Sequence, residues 1–385
     1  MLGQDTEFFV YDTALGGVVP AHSVGIDKEK TQIPYAGSYF RDGYAVEFNA
    51  PASSCRSGVW ENLAKTMDNF KNGFHEQDVY NEKTRRYEAI KNPPAVPSRY
   101  KLITDPCATI DLSEIKSWPK DLHVLGCHPT YDAYGECEKV VEVDPLELDF
   151  RTTGAHLHHS AGSGFKPTLS QLGLYAKYCD LLVGLPHTII YGDDMEFKRR
   201  TLYGQAGEFR KQEYKCSYGP GTVTIGFEYR VLSSRLYNHP GIFGLLSAIF
   251  KYTLERYKDL DKAGWNKKLD GPLRRAINTG VGATELLEEF SKIMSLYQRE
   301  DKSGMNGLGY IPKDWGAAIL KLREMRKKDD STLNRFLMWE GQLQGHWGWS
   351  EYNDHNEPFK NKSGIGARSS TVCHKPLVQE EPWLL

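Results

Sequence analysis

Four pairs of polar residues recur at spacing i, i+2 in strand-like stretches: Asp5 and Glu7, Glu47 and Asn49, His156 and His158, Glu228 and Arg230. Side chains alternate across a strand, so each pair shares one face. In GAHLHHS, residues 154–160, the same rule sets His156 with His158 and turns His159 away. A carboxylate among aromatics (Phe8, Phe9, Phe48, Phe227, Tyr229) is costly to desolvate unless it meets a cation. If these strands belong to one sheet, Asp5, Glu7, Glu47, His156 and Glu228 line one concave face as a mostly oxygen ligand set. Such a set suits Mg2+ or Mn2+ better than zinc. Any one pair taken alone reads equally as the wet face of an antiparallel sheet.

A basic run adds a second constraint. Lys198, Arg199, Arg200, Arg210 and Lys211 lie just upstream of Glu228 and Arg230. Guanidinium forks bind phosphate oxygens in pairs, and divalent ions neutralise the remaining charge. Such a run is also what a solvated surface loop looks like. The chain has no Walker loop, GxGxxG fingerprint or GxSxG elbow, so phosphate chemistry here needs another scaffold.

The elements that would position these residues follow from periodicity. The first fifty residues alternate strand-like runs with Gly, Pro and Asp turns, which reads as an antiparallel opening. Residues 51–150 are a mixed insertion containing the helix-like WENLAKTMDNF and the loop GCHPTYDAYGEC, where Asp132 and Tyr134 are candidate substrate contacts. The spacing of Leu169, Leu172, Tyr175, Ala176, Cys179 and Leu182 predicts a helix over 168–183, with Gly184 and Pro186 as stop signals. From Gly241 the pattern is helical, then a polar tryptophan-bearing tail follows, a candidate lid or oligomer arm. The expected class is α+β, with helices backing a curved antiparallel sheet. Residues 1–240 carry the paired polar motifs, and 241–385 read as a helical C-terminal region with a polar tail.

Totals restrict the partners. The 48 basic and 50 acidic residues nearly cancel, so nothing global favours nucleic acid or a membrane surface. Seven cysteines without a CxxC pair favour reduced thiols. The acidic opening MLGQDTEFFVYD and the lack of a long apolar run point to a cytoplasmic protein.

The motifs in order form a pattern. GQDTEFFVYD resembles the metal-binding strand of glutamine synthetase, GAHLHHS its His-x-His strand, and GFEYR its Glu-x-Arg strand. With DGYAVEFNAPAS, RTTGAHLHHS, RRTLYGQAGEFR and GFEYRVLSS, the chain more closely resembles the phage-encoded carboxylate–amine ligases (COOH-NH2 ligase, type 2). These are relatives of the glutamate–cysteine ligases within the glutamine synthetase fold. The resemblance covers residues 1 to about 240.

That resemblance implies an ATP- and Mg2+-dependent ligase that joins a small-molecule or peptide carboxylate to an amine. Glu7 and Glu47 would hold one Mg2+, with Asn49 assisting; Asp5, His156 and Glu228 would hold the other. Arg230 would bind the transferred phosphoryl group or the substrate carboxylate. Arg200 and Arg210 would cradle nucleotide phosphates, with Arg199 counted beside them and His158 supporting the nucleotide side. Arg230 and Arg210 are the candidate catalytic residues. Two departures stand out: Asp5 replaces a longer Glu, and the first metal position lacks one acid. The glycine-rich stretches AGSGF and SYGPG are candidate lids over a water-sensitive acyl phosphate. Alternatives on the same architecture are a guanidino-kinase-like phosphotransferase and a non-catalytic binding protein.

Overall fold

A computed structural model describes residues 1–328, apart from 34–35, 55, 82–85, 93–94, 124–129, 140–142, 161–163, 216–222 and 301–313. Its strands are β1 (Leu2–Asp12), β2 (Gly17–Val19), β3 (Thr31–Ile33), β4 (Gly37–Asp42), β5 (Ala45–Ser53), β6 (Phe74–Asn81), β7 (Arg86–Asn92) and β8 (Tyr100–Ile103). They continue with β9 (Cys107–Thr109), β10 (Thr130–Asp132), β11 (Cys137–Lys139), β12 (Phe150–Thr152), β13 (Ala155–His159), β14 (Glu208–Lys215) and β15 (Val223–Tyr229).

Eleven strands make one antiparallel sheet in the order β11-β10-β14-β15-β13-β1-β5-β4-β3, with β2 and β8 added at the far end of β1. The first strand of the sequence is therefore central, flanked by β13 and β5. Strands β6 and β7 pair with each other, as do β9 and β12. The architecture is α+β.

Alternation makes one face apolar. Phe8, Phe48, Leu157, Phe209 and Phe227 are all 2 % exposed or less. Helices α1 (Arg56–Asn72), α3 (Leu169–Cys179) and α6 (Pro240–Glu255) cover this face. Phe48 meets Phe70 of α1 edge-on at 5.1 Å between centroids, and Phe227 stacks on Phe250 of α6 at 6.2 Å. The core continues without a break through α8 (Asp270–Thr279), α9 (Leu287–Glu300) and α10 (Trp315–Lys328), so the helices beyond residue 240 bury their apolar stripes against the same centre. Two further helices, α2 (Leu112–Ile115) and α7 (Tyr257–Ala263), are short. No described helix is long and apolar enough to cross a membrane.

The helix predicted over 168–183 does not stop where Gly184 and Pro186 suggested. Thr168 caps α3 in a reciprocal capping box with Gln171. The chain then widens into a π turn, Asp180–Gly184, and continues as α4 (Leu185–Tyr191). Pro186 falls in the first turn of α4, where its missing N–H costs least. Gly184 is required by proximity, since a Cβ there would lie 2.3 Å from the Tyr229 hydroxyl. That hydroxyl donates to buried Asp180 at 2.7 Å, and Tyr134 donates to its other oxygen at 2.9 Å. The π turn thus anchors the underside of β15, the strand that carries Glu228.

Candidate functional site

Register assembles the opposite face. On β1, Asp5 lies opposite His156 on one side and Asn49 on the other, and Glu7 lies opposite Glu47. His158 and Arg210 both lie opposite Glu228. Residues paired across strands share a face, so the sheet gathers Asp5, Glu7, Glu47, His156, His158, Arg210 and Glu228 on one side. Arg230, the residue just past β15, joins them through its ion pair with Glu228. His159 points the other way, as expected, between Phe165 and Phe250. Burial lowers its pKa to about 3, so it is a neutral core residue.

One end of the face is acidic. Oxygens of Glu7, Asp42 and Glu47 lie within 4.8 Å of one another, the only such potential metal-ligand group among the described residues. Glu7 and Glu47 are 8 % and 9 % exposed. Burial, then the charge of Asp42, raises the Glu7 pKa to about 7. Burial, then Asp5, Glu7 and Asp42, pushes Glu47 well above the usual carboxylate range. The backbone N–H of Gly154 donates to Glu7 at 2.6 Å. A side chain at 154 would reach within 2.6 Å of the His156 ring, which explains this glycine. Asn49 is a brace: its amide donates to Asp5 at 2.8 Å and to Glu47 at 2.7 Å. Lys30 occupies its carbonyl oxygen. Asp42, at the end of β4 beside the hairpin turn, is the third acid of this group.

The other end is basic. Glu228, 1 % exposed, accepts from Arg230, Arg210 and Gln212. Burial opposes its ionisation, but Arg230 above all, with His158 and Arg210, outweighs it and lowers the pKa to about 2. Between the two ends stands His156, with Nε2 3.9 Å from Glu7 and Nδ1 3.5 Å from Glu228. Tyr203 contacts His156 Nε2 through its hydroxyl and accepts from Arg230, whose guanidinium lies over the Tyr203 ring at 5.1 Å. Burial followed by Arg230 holds the His156 pKa well below its ordinary value, so the ring is neutral. His158 is ion-paired to Asp5 at 3.1 Å and bonded to the Tyr214 hydroxyl at 2.8 Å. Although burial opposes it, Asp5 keeps the His158 pKa raised.

Among the described residues Asp5, His156 and Glu228 do not close to within 4.8 Å as one ligand group; Glu228 is counter-ion to two guanidinium groups and Asp5 to His158. Nor do Arg199 and Arg200 present donors to a nucleotide. Both are buried, at 0 % and 2 % exposure. Arg199 donates to the carbonyls of Thr153, Val231 and Leu232. Arg200 bonds Glu196, the Thr188 hydroxyl and the carbonyl of Ile277. Arg199 thus ties the backbone just before Gly154 to residues 231 and 232, and Arg200 ties Glu196 to α4 and α8. Lys198 pairs with Asp149 at 3.6 Å, and Lys211, on the far face of β14, with Glu213 at 3.5 Å. Of the arginines named from the sequence, Arg210 and Arg230 are the two that reach the polar face. Of the candidate lids, SYGPG and most of AGSGF lie outside the described residues, as does the polar tail.

Sequence reasoning missed Asp42, Tyr203, Gln212 and Tyr214. Asp42 sits within the quoted stretch DGYAVEFNAPAS, where Asp-Gly reads as a turn. Gln212 and Tyr214 extend the alternation begun by Arg210, a signal that was present. Tyr203 comes from the loop between α5 (Asp194–Arg199) and β14 and carries no periodic mark. Searches against protein-family models and against curated proteins return no match for this chain.

Proposed function

We propose that this face is the active site of an ATP- and divalent-cation-dependent carboxylate–amine ligase built on a glutamine synthetase-like sheet. The supporting observation is the division of one buried polar face into a three-carboxylate end, Glu7–Asp42–Glu47, and an arginine end, Arg210–Arg230, with His156 between them. The donor set fits a hard cation: three carboxylates with raised or crowded charge, oxygen only. Glu7, Asp42 and Glu47 would hold Mg2+ or Mn2+, which when bound offsets the charge on phosphate oxygens.

Joining a carboxylate to an amine in water is uphill, so the carboxylate is first activated. Its oxygen attacks the γ-phosphorus of ATP, ADP leaves, and an acyl phosphate forms. The amine then attacks the acyl carbon and phosphate departs. Phosphoryl transfer depends mainly on alignment and charge neutralisation. Arg230 and Arg210 supply forked donors for the phosphoryl oxygens, held in place by Glu228. Tyr203 fixes Arg230 against His156, and Asp5 fixes His158. The substrates are small-molecule or peptide carboxylates and amines.

Hydroxylamine tests the reading, because it intercepts an acyl phosphate and not a phosphoramidate. With ATP, Mg2+ and a panel of amino-acid and peptide carboxylates, the protein should release ADP and phosphate and yield a hydroxamate. ATP consumption that gives a stable phosphorylated product and no hydroxamate would decide for a phosphotransferase. Absence of any metal-dependent ATP turnover across the panel would leave the ligase reading without support.

A further inference from the structure

On the helical side of β14, away from the acidic face, a cleft of about 470 Å³ opens between the β10–β11 hairpin and α3. This volume is within the usual range for small-molecule sites, roughly 300–1,000 Å³. Its apolar lining is formed by Tyr131, Phe209, Leu174 and Trp265, interleaved with polar groups such as Gln171 and Asp132. Tyr131 and Phe209 are stacked at 5.6 Å and present one aromatic surface. In its floor lies an ammonium group. Lys177 is 8 % exposed, lies 5.0 Å over the Tyr134 ring and pairs with Asp270 at 3.2 Å. An ammonium has three donors and Asp270 takes one.

The rim carries acids, Asp261 and Glu136, beside Lys267. Asp261 is pinned across it by Gln171 at 2.9 Å and Tyr175 at 3.0 Å. Glu136 faces it from the hairpin turn and is the only non-glycine residue with positive φ, 51°, among the described residues. Glycine is the usual occupant of that conformation, so a glutamate there retains a carboxylate at the expense of backbone strain.

A buried cation under an apolar wall, with acids at the mouth, matches a molecule carrying a carboxylate at one end and an ammonium at the other. We infer that this cleft is a second binding site, for an α-amino acid or short peptide with a free amine, a free carboxylate and an apolar side chain. It does not depend on the reaction proposed for the acidic face.

Calorimetry on the full-length protein tests this with L-phenylalanine, L-leucine and their dipeptides. Their N-acetylated and C-amidated forms serve as charge-deleted controls. At least one zwitterion should bind below about 10 mM, and each blocked form roughly tenfold more weakly. Lys177→Met should weaken binding by a similar factor. Ser170→Trp, at an exposed helix position on the mouth, should obstruct it. Glu136→Gly should weaken binding while raising the melting temperature, an outcome a purely structural residue would not give. Glu7→Gln should leave binding unchanged. The inference is overturned if no probe binds, if blocked forms bind equally well, or if binding survives in Lys177→Met and Ser170→Trp.

Discussion

Replacing Glu7 by glutamine exchanges a buried carboxylate for an amide of nearly the same shape. In the metal-free protein the Glu7 carboxyl takes up its proton at about 7, against 4.5 for an ordinary glutamate, because it is buried and faces Asp42. Folding stability from this group is complete below 4.5 and is lost as pH rises through 7; the difference is worth roughly 3 kcal/mol. Glutamine removes that loss. Its oxygen still accepts from Gly154, and the weaker bond of a neutral acceptor is already part of that difference. In EDTA near pH 8, Glu7→Gln should therefore be more stable than wild type by about 3 kcal/mol, or ~4 °C for a chain of this size. Near pH 5 the advantage should vanish. Added Mg2+ should reverse the order, since at a thousandfold excess over its dissociation constant it stabilises wild type by about 4.1 kcal/mol and the variant little. Thermal melts at both pH values, with EDTA or MgCl2, measure all four conditions. A variant that melts below wild type in EDTA near pH 8, or that gains as much from Mg2+, would refute the metal assignment.

Glu228→Ala should cost about 3–5 kcal/mol by denaturant titration, because it leaves Arg230 buried without its counter-ion; the stability contributed by Glu228 is present above 4.5 and lost as pH falls through about 2. Glu228→Gln is the milder variant for turnover assays. Tyr203→Phe should keep the fold and lower kcat about 10- to 100-fold by releasing His156 and Arg230, and an unchanged kcat would remove Tyr203 from the site. Arg200→Lys should lower the melting temperature by breaking the Glu196 pair yet leave the KM for ATP unchanged, whereas a raised KM with normal stability would restore Arg200 to the nucleotide.

Much of this site was legible because a strand has period two. Asp5, Glu7, Glu47, His156, His158 and Glu228 could be placed on one face from alternation alone, and His159 on the other. Legibility failed where contacts are set by tertiary packing. A run of arginines looks the same in sequence whether it meets phosphate or, like Arg199 and Arg200, backbone carbonyls and a buried Glu196. Asp42 was hidden by its turn-like Asp-Gly context. Gly184 and Pro186 read as helix terminators because propensity does not register a π turn packed on Tyr229. The helices after Gly241 were visible as a class, but their sharing of one core with the sheet was not.

The central place of β1 makes the site depend on counting as well as on chemistry. Its odd-numbered residues Asp5 and Glu7 face His156, Asn49 and Glu47, while Thr6 and Phe8 face Phe48 and the helices. A single-residue deletion before Asp5 that slid the strand by one place would carry both carboxylates into the aromatic layer and push Phe8 onto the polar face. No point substitution in β1 displaces so many groups at once. Across natural variants of such a chain, the N-terminal strand should accept changes of letter far more readily than changes of length.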